Sequence, residues 1–142
     1  MKGSDLTRRG GATAVLAIAV AALAGGVAYA APVGCATGNL CLWEDAGYET
    51  NGVQTDEAWF STKYSDFRYR EYKPGMNAHN NASSIFNNGT IYGVYMYTNV
   101  NYGGSSFYLP KNTGDGNLST GTSPVPLGFN DELDSGCFTS YC

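Results

Sequence analysis

Tyr97-Thr98-Asn99-Val100-Asn101-Tyr102-Gly103-Gly104 sets two aromatic side chains five positions apart, with a glycine two positions after the second. Cys41-Leu42-Trp43-Glu44-Asp45-Ala46-Gly47-Tyr48 repeats the aromatic spacing through Trp43 and Tyr48, although Thr50 stands where the glycine should be and Gly52 comes slightly late. Downstream of each stretch lies a polar segment ending in serine. The first is His79-Asn80-Asn81-Ala82-Ser83-Ser84 and the second is Asn130-Asp131-Glu132-Leu133-Asp134-Ser135. The chain therefore contains itself twice, in order, as copies of about 50 residues, enough for four short strands and their turns.

The physics of the repeat is local. Two aromatics around a tight turn can pack on each other and fold a hairpin back over its sheet. The glycine after the second aromatic supplies a positive φ that a side chain opposes. The final serine can hydrogen-bond the folded hairpin and satisfy its backbone groups.

Outside the repeat, turn formers recur every several residues and helix formers are scarce. Alternating runs at 40–44, 82–87, 91–97 and 105–109 read as strands, with 67–72 a weaker fifth. In the run at 91–97, Ile91, Gly93, Tyr95 and Tyr97 share one face, and Tyr92, Val94 and Met96 the other. Trp59, Phe60, Tyr64 and Phe67 fit one or two helical turns. Residues 111–128, with Pro124 and Pro126, read as a long surface loop. Many short strands joined by glycine-rich turns make an all-β sandwich or barrel.

The first 30 residues stand apart. Lys2, Arg8 and Arg9 precede a 13-residue apolar run at 12–24, and Ala28-Tyr29-Ala30 offers small residues for cleavage. This is the order of a secretory signal, and the run is shorter than the roughly 20 residues of a membrane span. Arg8-Arg9 hints at twin-arginine export, but Gly10 and Gly11 favour the general route. The mature domain is then 31–142, not membrane-inserted, secreted and monomeric. It keeps five Lys and Arg against eleven Asp and Glu. With no basic stripe, nucleic acid is excluded as a partner.

Four cysteines remain: Cys35, Cys41, Cys137 and Cys142. An even count behind an export signal reads as disulfides. Cys35–Cys41 with Cys137–Cys142 closes a short loop near each end of the domain, and a crossed pairing tying the termini together stays open. A CxxC spacing is missing and His79 is the single histidine, which argues against zinc.

Taken together, the aromatic pairs and the two polar-serine signatures resemble the βγ-crystallin superfamily, whose fold is a β-sandwich of two Greek-key motifs. The resemblance implies one key at about 35–89 and the other at about 90–142. The leader, the early Cys35-x5-Cys41 and the opening Cys41-to-Tyr48 stretch resemble the small secreted bacterial peptidase inhibitors built on that fold. Two departures stand out: His79 replaces an Asn or Asp, and Asp134 replaces a Ser or Thr. The linker Asn87-Asn88-Gly89-Thr90 also lacks a cysteine that members of the inhibitor family often carry there.

The resemblance implies calcium as the one cofactor, with no organic group, and ions shared between the copies. Carried over by position, it assigns Asn80 and Ser83 to one site and Asn130, Asp131 and Asp134 to the other. Calcium wants hard oxygen donors, so Asp134 should tighten the second site and His79 should weaken the first. For inhibition, a stiff segment must fit a peptidase cleft. Pro124, Val125, Pro126 and Leu127 qualify, with an exposed Val or Leu suited to a metallopeptidase's apolar pocket, as does the turn before Cys142. Catalysis has little to stand on. Each carboxylate pair, Glu44-Asp45, Asp56-Glu57 and Asp131-Glu132, is made of sequence neighbours, which point to opposite faces of a strand. The function expected is a secreted peptidase inhibitor. The alternative is an extracellular calcium-binding or antimicrobial protein of the same fold without inhibitory activity.

Overall fold

The computed structural model describes residues 30–49 and 57–142. The basic and apolar parts of the leader, Thr50, Gly52 and Asp56 lie outside the described residues.

Among the described residues, ten strands form two four-stranded antiparallel sheets and one small ribbon. In chain order they are β1 (Leu40–Trp43), β2 (Glu57–Phe60), β3 (Lys63–Tyr64), β4 (Glu71–Lys73), β5 (Met76–Asn77), β6 (Ser84–Asn87), β7 (Val94–Asn99), β8 (Gly103–Leu109), β9 (Thr113–Asp115) and β10 (Ser135–Phe138). One sheet runs β2-β1-β6-β9 and the other β3-β10-β7-β8, with β4-β5 a separate ribbon. Each copy thus lends one strand to the other's sheet: β3 pairs with β10, and β9 pairs with β6. This is a duplicated Greek-key sandwich, as the internal repeat predicts.

The core lies between the sheets. Leu40, Leu42, Ala58, Phe60 and Ile85 meet Val94, Met96, Phe107, Leu109 and Phe138 there. A second cluster covers the outer face of β1, where Cys35, Cys41, Trp43 and Phe86 pack with Tyr48. That is why every residue of β1 is buried. The strand carries apolar side chains on both faces, and the disulfide and folded hairpin shield the outer one.

Several expectations need correction. The strand of the second copy starts at Val94, not Ile91. Val94 and Met96 face the core, while Ile91 and Tyr92 stay exposed. Trp59, Phe60 and Tyr64 lie on strands, because Ala58 and Phe60 point inward and Trp59 outward with period two. Only Phe67 sits in a helical turn, the 3-10 turn Phe67–Tyr69, and β4 begins just after it. The stretch at 111–128 is not simply a surface loop. It holds β9, and Leu118 and Val125 within it are completely buried.

Candidate functional site

Both folded hairpins close as the repeat requires. The Trp43 and Tyr48 rings meet edge-on at 5.1 Å, and those of Tyr97 and Tyr102 at 5.9 Å. Gly104 has φ 77°. A Cβ there would lie 2.4 Å from Thr98 Oγ1, so a side chain is barred on two counts.

The two polar-serine segments lie side by side between the halves. Asn80 N donates to Leu133 O (3.2 Å), and Asp131 N donates to Ala82 O (3.0 Å). Asn80 and Asp131 both take left-handed backbone angles, which Asn and Asp tolerate better than most residues. One residue further on the relation recurs. Leu118 N donates to Ser83 O (3.0 Å), and Phe67 N donates to Asp134 O (2.9 Å).

These contacts regroup the residues assigned to calcium. Ser83 Oγ reaches Asp131 Oδ1 across the halves (3.4 Å), and Asn130 Nδ2 donates to Asp131 Oδ2 (2.6 Å). Asp134 does not join them. Its carboxylate is buried and hydrogen-bonded to His79 Nδ1 from the other half. Asn80 is exposed. The donor sets therefore differ in kind. Ser83, Asn130 and Asp131 offer a hydroxyl, an amide and a carboxylate, all hard oxygens suited to calcium. The Asp134 carboxylate is already held by an imidazole, which does not suit calcium as a ligand. Among the described residues no group of three or more His, Cys, Asp or Glu could hold a metal ion, so amide, hydroxyl and backbone oxygens would carry most of any coordination.

Beside His79, Asp66 accepts from both the backbone and the guanidinium of Arg68. That pairing holds the Asp66 carboxyl below its ordinary value. Spacing alone did not reveal this neighbourhood, because its residues come from elements far apart in sequence.

The residues considered for inhibition part company. Val125 is fully buried in the main core, so it cannot be the exposed apolar contact expected of it. Its backbone N–H donates to Thr122 O (3.1 Å), which turns the side chain inward. Leu127, two residues on, is 69% exposed. Pro124 and Pro126 flank the buried valine, and the Ser123–Pro124 bond is cis. The cysteines pair as Cys35–Cys41 and Cys137–Cys142. The second bridge curls the C-terminal turn beside a groove lined by Ile91, Tyr92, Phe138 and Tyr141, a feature the sequence reading missed. On another face Arg70 lies over the rings of Trp59 and Tyr64, at 5.4 and 4.1 Å.

Residues 28–109 match the model of peptidase inhibitor family I36. Among solved structures, a βγ-crystallin domain studied for the evolution of the eye-lens fold is similar with a TM-score of 0.55 and 16% identity, over 78% of this chain and 92% of that one. A βγ-crystallin from Ciona intestinalis has a TM-score of 0.50 and 21% identity, over 72% of this chain and 100% of that one. At such identities the likeness is one of fold. No curated protein sequence matches the chain.

Proposed function

Because this chain belongs to peptidase inhibitor family I36, we propose that it is secreted and blocks a secreted peptidase of the metallopeptidase class, as a monomer, through the segment around Leu127. One observation carries the choice of segment: Leu127 is exposed two residues from the buried Val125. An anchored neighbour and two prolines limit the freedom that the apolar side chain loses on entering a cleft. Two disulfides support an oxidising, extracellular setting. Inhibition needs no catalytic group of the protein's own, and the protein is not an enzyme.

The test is stoichiometric titration of secreted metallo- and serine peptidases with the purified protein. Loss of metallopeptidase activity near equimolar protein is expected. Full activity of every enzyme at equimolar protein would sink the proposal.

A second reading is a calcium-stabilised extracellular binding or antimicrobial protein without inhibitory activity. It is favoured by the meeting of Ser83 with Asp131 and of Asn130 with Asp131. A ligand bound only by the folded state raises its stability. Under this reading calcium raises the melting temperature and a chelator lowers it, while every peptidase keeps its activity.

A further inference from the structure

The places occupied by His79 and Asp134 in one position, and by Asn130 and Ser83 in the other, are related by the internal repeat. The backbone bonds fix the correspondence: Phe67 N binds Asp134 O as Leu118 N binds Ser83 O. The flanking turns match as well. Asp66 Oδ1 accepts from Arg68 N (3.0 Å), and Asn117 Oδ1 accepts from Ser119 N (3.1 Å). Set against each other, the two places differ at four corresponding positions. Asn117, Ser119, Asn130 and Ser83 are neutral, and the carboxylate they have beside them is that of Asp131, which Ser83 and Asn130 contact. Their counterparts Asp66, Arg68, His79 and Asp134 all carry charge or can carry it.

We infer that the His79–Asp134 pair, with Arg68 beside it, takes the part of a bound cation, so that this place excludes calcium although its counterpart does not. The two departures from the crystallin signature, His79 and Asp134, are thus one compensated change, since the side chains touch each other. Asp134 is 6% exposed, so its carboxylate needs a partner from within the protein. The imidazole supplies it through Nδ1, which donates to the carboxylate in the Nδ1–H tautomer or in the imidazolium. Arg68 follows Phe67, whose N–H binds Asp134 O, and so adds a positive charge on this side, while its own guanidinium is bound to Asp66. A divalent ion entering here would have to displace the imidazole and approach the arginine, with one buried carboxylate as its reward. The inference does not depend on inhibition, and either can fail without the other.

His79 is the chain's single histidine, so its ring signals identify this place without assignment. Calcium chloride is titrated into the purified, untagged protein at constant pH and followed by proton NMR. The His79 ring resonances are expected to stay in place through millimolar calcium. A saturable shift of those resonances would overturn the inference. Calorimetric titration of His79→Asn gives the complementary measurement, with one more calcium ion bound per chain than in the parent. Equal stoichiometry in a folded variant would also overturn it. If the variant does not fold, the parent's histidine signals still decide.

Discussion

Ser84 and Ser135 perform the same task in the two halves. Ser84 Oγ donates to Asp45 O (2.7 Å) and accepts from Tyr48 N (3.2 Å). Ser135 Oγ donates to Asn99 O (2.7 Å) and accepts from Tyr102 N (3.0 Å). Both serines are fully buried, and each ties the two ends of a folded hairpin to the strand beneath it.

Ser84→Ala and Ser135→Ala should each therefore destabilise the fold by about 1–3 kcal/mol, the cost of leaving a buried N–H or carbonyl unpaired. Denaturant midpoints measure this. A loss below about 0.5 kcal/mol in both variants would mean that water replaces the hydroxyls freely.

Val125 and Leu127 should separate stability from inhibition. Val125→Ala removes fully buried apolar surface and should cost about 1–3 kcal/mol. Leu127→Ala should change stability by no more than about 0.5 kcal/mol, as exposed substitutions do. The same Leu127 variant should raise the inhibition constant at least about tenfold if the side chain fills an apolar pocket. Thermal melts and peptidase titrations of both variants check the pair. A Leu127→Ala protein that inhibits as well as the parent would move the contact elsewhere on the surface.

Tyr72 should make the fold sensitive to alkali. Its phenol is buried and donates to Asn81 O (3.1 Å). Burial pushes it well above the ordinary value of 10.0, and the charges of Glu44 and Asp131 add to the shift. A raised value means that the neutral phenol belongs to the folded state. Its contribution is complete below about pH 10 and is lost above that pH, by about 1.4 kcal/mol per unit. Tyr72→Phe should lose about 1 kcal/mol at neutral pH, for the missing hydrogen bond, but decline less steeply above pH 10. Unfolding followed against pH tests both statements.

Opening the Cys35–Cys41 bridge should cost about 2 kcal/mol, the chain-entropy value for so short a loop. Trp43 packs in the same cluster as this bridge, so replacing both cysteines by alanine should also red-shift its fluorescence. An unchanged midpoint would show that the cluster holds the segment without the bridge.

How much of this was readable beforehand depends on whether the pattern that carries it recurs in both copies. The hairpin clamps were legible although each serine lies 33 to 39 residues from its partners, because the aromatic spacing and the serine recur in both copies, and the structure supplies both. β9 went unread because its glycine is dictated by neighbours the sequence does not bring close. A Cβ on Gly114 would lie 2.5 Å from Ile85 O and 2.8 Å from Tyr48 Oη, so the strand looks like loop. Val125 was misjudged for a similar reason, since prolines on both sides mark a turn without saying which way its side chains face. The His79–Asp134 contact was invisible because each residue, taken alone, only spoils a motif.

The lending of β3 and β9 between sheets makes each copy depend on the other. Cutting the crossover at residues 88–93 would leave two fragments still clasped, each holding the other's third strand. A solitary copy would present β6 with a bare edge, the kind of margin on which strands of separate molecules join. The pairing thus holds within a single chain a contact that separate copies would have to make between molecules, and neither copy can be shed without exposing the margin it covers.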